Sequence, residues 1–531
     1  MTGGIRAVFA SLPLLVVLAG MLSLGWNASK AGAAGWVTAM GVAATAYCLN
    51  LSNLAIANAK GMSLAVFIIT IIWGASLLYN IVRGGGGVRV ISRGVSLLGG
   101  TPVAEALILA WCFTGVMQGI GGFGVPVVVI SPILAERGFP PLAAVTATLL
   151  GHSWSINFGS MATSYWAIQL VTGLPKTALA HQSAVMAVVP ILLTGLGVAY
   201  IAGGRRGLLE NTVVVVVTGS AMALTQWAVV TNGVPEGGAI ISGAVGCLTV
   251  FLLSNLCAPR GWRRGAGPQA VDGCAAAEAC ALPAAPWWVT LAPYLAMVVM
   301  LVMAQVPAVK TGLKSFGWGL SYPGYTTPLG LVVKPEVRYS WIGLVSHPAP
   351  VLLIATALGV AIYRACGLMT PDAIRQAWND SLRQCLPAAL STAFLVMMAL
   401  IMNDSGMTTD LAVAFAWLSG RFFPVISPLL GGLGSFLSGS NASSNVLFGK
   451  FQVETARALG MDPVVLAAAQ TVGGSVGSLV APSKIVLGAA TVGLEGCEGR
   501  LMRDALLYSV PVIVATGVLC MIIASRTVVV R

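Results

Sequence analysis

Apolar runs of about 20 residues, the length of one bilayer crossing as a helix, recur along this chain. They lie near 8–26, 32–50, 64–82, 183–202, 212–230, 238–256, 287–306, 349–364, 386–402 and 505–524. Only 8% of the residues are charged and 57% are hydrophobic, against roughly 25% charged in a soluble protein. Too little charge remains to cover a water-facing surface, so the solvent is lipid. Inside lipid each backbone N–H and C=O must be bonded within the protein, which a helix achieves alone. Between 102 and 170, and again between 408 and 496, Gly, Pro and Ser cut the apolar pattern. Those zones are expected to hold shorter or broken segments. The expected fold class is all-α: one transmembrane domain over 1–531, multi-pass in the cell (inner) membrane, with about 12–14 crossings.

The net charge of +12 marks cytoplasmic loops in a chain of this kind. Arg83, Arg89 and Arg93 follow one apolar run, Arg205 and Arg206 another, and Arg260, Arg263 and Arg264 a third. No basic stretch is interleaved with aromatics, which excludes nucleic acid as a partner. The ten cysteines are scattered with no CxxC pair, and three histidines are too few for much of a metal site. Neither metal nor cofactor is expected. The first apolar run follows Arg6 and precedes small residues near Ala31–Ala34, as a signal peptide does. It is long and a second run follows at once, so a retained span is expected. The 257–286 loop, with Cys274 and Cys280, reads as a cytoplasmic linker. The 307–348 loop, with irregularly spaced aromatics, is expected outside, along the interface or over a cavity.

The segment GFPPLAAVTATLLG (Gly138–Gly151) aligns with GMDPVVLAAAQTVG (Gly460–Gly473), glycine on glycine at both ends and Pro141 on Pro463. The same offset of 322 residues carries Pro102 to Pro424, Ser153 to Ser475 and the run at 64–82 to 386–404. The run at 64–82 is followed by arginines, whereas its counterpart is preceded by Arg364, Arg375 and Arg383. The two copies are therefore expected to be inverted in the membrane, with repeat 1 at about 61–205, connecting segments at about 206–382 and repeat 2 at about 383–527. Inverted repeats with interrupted helices are the architecture of secondary transporters, which hold substrate near the midplane.

Each repeat also carries one break at the equivalent place. SGSNASSNVLFG, from Ser438, falls on a stretch containing MQGIGGFGVP, from Met117. Non-helical backbone at membrane depth survives only inside protein or along a wet cavity, because an unpaired group there costs several kcal/mol. Breaks leave helix N-termini whose N–H groups attract anions, and Ser and Asn add neutral donors. The expected ligand is a small organic anion. Close helix packing through small residues is the plainer alternative. GIGGFG is not a dinucleotide fingerprint, since neither the preceding strand nor the following acid is present. No nucleophile–base pair or phosphate loop points to an enzyme.

GGFGVPVVVISPIL, the GFPPL run, INFGS, SGSNASSNVLFG, Gly473–Gly474 and ATVGLEGCEG resemble the lactate permease family over nearly the whole chain. The resemblance implies a secondary transporter of small 2-hydroxymonocarboxylates such as lactate and glycolate, driven by proton symport. It implies a substrate site at Gly122, Phe123, Gly124, Ser440, Ser443, Ser444 and Asn445, to which Gly119 and Asn441 of the same breaks are added. The chain departs from the family's pattern at three places: Gln118 stands for the usual Glu, Asn441 for Asp and Ser478 for Lys. A sulfonate or dicarboxylate transporter in the same fold, and an anion channel, remain alternatives.

Ionisable residues inside the membrane complete the candidates, because each is costly there. Lys484, after Pro482 at a helix start, is a candidate counter-charge for the substrate, with snorkelling to the interface as the alternative. His152 titrates near neutral pH and is either an ion-coupling group or a hydrogen-bonded structural histidine. Asp404 and Glu105 are further coupling candidates; the first equally suits an interface and the second a helix N-terminus.

Overall fold

The computed structural model describes residues 3–526 except 88–89, 91–100, 123, 258–284, 304–305, 314, 345–346 and 495. Arg89, Arg93, Arg260, Arg263, Arg264 and almost all of the 257–286 loop lie outside the described residues. The first half of the chain forms α1 (Gly3–Leu22), α2 (Ala28–Thr45), α3 (Leu51–Gly84), α4 (Pro102–Ile120), α5 (Val125–Glu136), α6 (Pro141–His152), α7 (Gly159–Thr172), α8 (Lys176–Thr231) and α9 (Gly238–Cys257). Then come α10 (Ala292–Met303), four short strands, α11 (Pro348–Ala365), α12 (Pro371–Ser405), α13 (Met407–Ser419), α14 (Phe423–Ser438), α15 (Asn441–Ala458), α16 (Pro463–Gly477), α17 (Pro482–Thr491) and α18 (Glu498–Arg526). Among the described residues, ten helical stretches are long and apolar enough to cross a membrane.

Several bounds differ from the apolar runs for physical reasons. The runs at 183–202 and 212–230 are one element, α8, turned at Gly204 (φ 61, ψ −157); its 56 residues would otherwise reach about 84 Å. Both α3 and α12 begin earlier than their runs, because their first turns are polar yet still helical. Asn50 and Thr370 cap them, accepting from the N–H of Asn53 and Ala373. Arg375 and Arg383 thus lie on α12 itself. The 307–348 loop is not featureless: β1 (Gly317–Tyr322) pairs antiparallel with β4 (Glu336–Gly343), and β2 (Tyr325–Thr326) with β3 (Val332–Val333).

α3 and α12 pack along much of their length. Lys60 meets Asp404, Ser76 meets Gln384 and Asn80 meets Ser381, so rising numbers on one helix face falling numbers on the other: the pair is antiparallel. Beside it stand two helical hairpins. In the first, α4 packs on α5 and Glu105 pairs with Arg137 at 3.3 Å across the hairpin's foot. In the second, Ser444 Oγ donates to the Gly431 carbonyl at 2.8 Å and Gln452 Nε2 to that of Ser427 at 3.2 Å, which lays α15 back along α14. α14 also lies flush on α16: a Cβ at Gly431 would stand 2.1 Å from the Gln470 oxygen, and one at Gly473 2.1 Å from the Pro428 oxygen. Small residues therefore do serve close packing, on the arm of the hairpin and also near its tip, where a Cβ at Gly474 would stand 2.1 Å from Asn441 Oδ1.

Candidate functional site

Four interruptions of helix meet in the interior. The tip of the second hairpin turns at Gly439 (φ 72), and Ser440 caps α15 by accepting from the Ser443 N–H. Asn441 Nδ2 then donates to the Thr471 carbonyl and to Ser475 Oγ, both at 3.0 Å. One turn on, Asn445 Nδ2 donates to Thr471 Oγ1 at 2.7 Å and to the Ser164 carbonyl at 2.9 Å. Thr471 Oγ1 itself donates to Asn157 Oδ1 at 2.6 Å. Asn157 lies in the interruption between α6 and α7, so residues from both halves of the chain converge on one hydroxyl. The tip of the first hairpin closes on the same interruption. Gly122 has φ +62, and a Cβ there would stand 1.7 Å from Ser160 Oγ; no other residue fits both conditions.

α16 ends in a single 3₁₀ turn at Ser478–Val480, and α17 starts at Pro482. Lys484, on the first turn of α17, donates to Ser478 Oγ. The lysine thus folds back onto the position where the family's usual lysine would stand. It is 8% exposed, so it does not snorkel, and among the described residues no carboxylate lies within ion-pair distance. His152 lies within electrostatic reach of it and donates from Nδ1 to the Thr148 carbonyl at 2.9 Å.

Polar atoms here lack partners. Asn441 Oδ1, Asn445 Oδ1, Asn157 Nδ2, Ser435 Oγ, Gln118 Oε1 and His152 Nε2 are all buried without a hydrogen bond. An orphaned buried polar atom costs about 1–3 kcal/mol, and three of these belong to residues bonded to Thr471. Such a cluster is stable when something polar enters it. The arrangement offers donors at Asn157 and Lys484 and acceptors at Asn441 and Asn445.

The other candidates lie elsewhere or play supporting parts. Gly119 packs on α9 against Ile240, and Gly124 stands beside Leu487 of α17. Phe123 lies outside the described residues. Ser443 Oγ reaches Thr392 Oγ1 of α12 at 3.5 Å. Ser444 faces the hairpin's own packing, receiving Gln470 Nε2 at 3.1 Å. Glu105 sits at the foot of the first hairpin, away from its tip. Asp404 is buried against Lys60 at 3.1 Å. Sequence reasoning missed Asn157, Thr471, Ser475 and Lys60. A signal for two of these was present: Thr471, Ser475 and Ser478 are spaced i, i+4, i+7, a hydroxyl stripe down one helix face.

A profile of the L-lactate permease family matches residues 6–527. The chain belongs to that family. The L-lactate permease of Salmonella typhimurium is 27% identical over 97% of this chain and 95% of its own length. That of Bacillus subtilis is 28% identical over 81% and 80%, and the glycolate permease GlcA of Escherichia coli 25% identical over 95% and 93%. Among solved structures, the YdaH transporter of Alcanivorax borkumensis aligns with a TM-score of 0.46 at 15% identity, covering 88% of this chain and 86% of that one. MtrF of Neisseria gonorrhoeae aligns at 0.49 and 14%, covering 99% and 95%. The protein is a multi-pass permease of the cell membrane.

Proposed function

We propose that this permease is a secondary carrier of small 2-hydroxymonocarboxylates such as lactate or glycolate, working by proton symport and alternating access. The observation that carries the reading is the buried Lys484 ammonium, with no described carboxylate beside it, bonded to Ser478 one turn beyond the Ser475 that receives Asn441, one of the orphaned amides. A buried cation without a counter-charge is unfavourable, and an entering carboxylate supplies one. Asn157 Nδ2 gives the carboxylate a second donor, while the free oxygens of Asn441 and Asn445 suit a neighbouring hydroxyl. Among the described residues the buried lysines are Lys60 and Lys484, and Lys60 is already paired. One free cation favours a monoanion over a dicarboxylate.

Alternating access is supported by the repeat layout. The 322-residue offset carries α6 (141–152) to 463–474 within α16, α7 (159–172) to 481–494 around α17, and the first arm of α8 (176–203) to 498–525 along α18. α3 carried forward overlaps α12, its antiparallel partner, so inverted repeats extended outward to Leu51 and Pro371 fit the helix bounds. Glu105, His152 and Asp404 are the coupling candidates within this reading.

Counterflow in proteoliposomes tests it. A carrier preloaded with unlabelled lactate takes up labelled lactate transiently against its gradient, a channel only dissipates the gradient, and an enzyme alters the chemical. Absence of counterflow with both lactate and glycolate would remove the reading.

A further inference from the structure

The interruptions around Thr471 contain no described carboxylate, since Gln118 and Asn441 are amides. A proton carried with the substrate therefore needs a group elsewhere. Among the described residues the buried carboxylates are Asp404, 2% exposed, and Glu236, 8% exposed. Glu236, in the turn between α8 and α9, receives the indole N–H of Trp166 on α7 at 3.0 Å, a neutral donor. Asp404 differs. Its Oδ2 lies 3.1 Å from Lys60 Nζ, both side chains are at most 6% exposed, and Asn403 Nδ2 donates to Oδ1 at 3.1 Å.

The short strands roof this pair. The Tyr339 ring of β4 lies 5.6 Å from Lys60 Nζ. Tyr322 of β1 packs edge-on against Tyr339, shares a 2.5 Å hydrogen bond with Ser63 and donates to the Ala59 carbonyl. Tyr325 of β2 donates to the Asn53 carbonyl and faces Asp404. Glu336, at the start of β4, also acts electrostatically on Tyr339. Among the described residues, the titratable groups around Asp404 are thus Lys60, Tyr322, Tyr325 and Tyr339, with Glu336 acting on Tyr339.

Replacing a buried ion pair by apolar groups is often neutral or stabilising, so burial alone gives no reason for this one. We propose that the Lys60–Asp404 pair is the proton-binding centre of the carrier, resting on the symport reading above. A proton entering from one side forms an O–H bond on Asp404, the ion pair opens, and the Lys60 ammonium is held over the Tyr339 face. Return of that proton to the other side restores the pair. One proton and one carboxylate cross together without net charge. α12 joins the two centres: it carries Asp404 at its end and, twelve residues before, about 18 Å, the Thr392 hydroxyl that meets Ser443 at the hairpin tip.

The test uses Asp404→Asn and the double variant Lys60→Gln/Asp404→Asn, reconstituted beside the unaltered protein. The double variant leaves no unpaired charge, so it remains informative where the single one fails to fold. Counterflow moves substrate without net proton transfer, so it is expected to persist in the folded double variant. A one-unit pH gradient, which drives at most about tenfold lactate accumulation at one proton per substrate, should drive none. Undiminished pH-driven accumulation by the double variant would overturn the proposal, as would loss of counterflow from folded double variant. An unaltered protein that exchanges lactate but ignores the pH gradient would overturn it too. No exchange by the unaltered protein would instead remove the substrate reading, and this inference with it.

Discussion

Lys484→Gln separates a counter-charge from a structural lysine, because the two roles predict opposite signs. The ammonium is buried and its hydrogen-bond partner is Ser478. Without ligand it is a cost: lysine at membrane depth stands at about 2.5–3.5 kcal/mol on insertion scales, offset in part by a charged hydrogen bond of about 1.5–3 kcal/mol. Glutamine keeps a donor and removes the charge, so the ligand-free variant should melt no lower than the unaltered protein. With a carboxylate present the sign reverses. Truncating one member of a buried charge pair costs about 2–5 kcal/mol, which weakens lactate binding by roughly 30- to 4000-fold. Calorimetry in detergent reads the dissociation constant, and a thermal melt with and without lactate reads the stability. An unchanged dissociation constant would refute the reasoning. So would a lower ligand-free melting temperature with affinity intact, which would make the lysine structural.

Asn445→Leu removes donors to Ser164 and Thr471 and should abolish or strongly reduce uptake while the protein still inserts; normal transport kinetics would leave the polar segment as packing. Ser444→Leu strands the Gly431 carbonyl and Gln470, so it should also lower the melting temperature, by the equivalent of about 1–3 kcal/mol, and an unchanged melt would contradict the hydrogen bonds of Ser444 to both. Gly473→Ala sets a Cβ against the Pro428 backbone and should destabilise by about 1–3 kcal/mol, measured as a lower melting temperature with lactate affinity retained in the folded fraction. Orientation is testable with single cysteines and a membrane-impermeant maleimide. The loop after Arg83 and the exposed native Cys366, in the loop before α12, should both label from the cytoplasmic side, and labelling on opposite faces would sink the inverted layout.

The lipid solvent, the approximate spans and the places where helix is broken were legible in the sequence because each is a local property. A run of 20 apolar residues has one favourable setting, and Gly122 or Ser440 at a break announces itself against such a background. The polar first turns of α3 and α12 were not legible, since hydropathy falls there while the helix continues. The strands at 317–343 were hidden too: they are short, bulged and interrupted by Gly and Pro.

The candidate site divides the same way. Ser440, Asn441 and Asn445 were found from composition, and Lys484 from the oddity of a cation beside a helix start. Which of their atoms are satisfied and which are left open was decided by partners far away in the chain. Thr471 and Asn157 are 314 residues apart and Lys60 and Asp404 are 344 apart. Asn157 does not stand out in its short link between α6 and α7, Thr471 shows only as part of a hydroxyl stripe, and Lys60 reads as an ordinary polar interruption. A buried polar atom must find its partner wherever the packing of two long helices or two hairpins brings one. That requirement acts across space, and so only the tertiary structure assigns it.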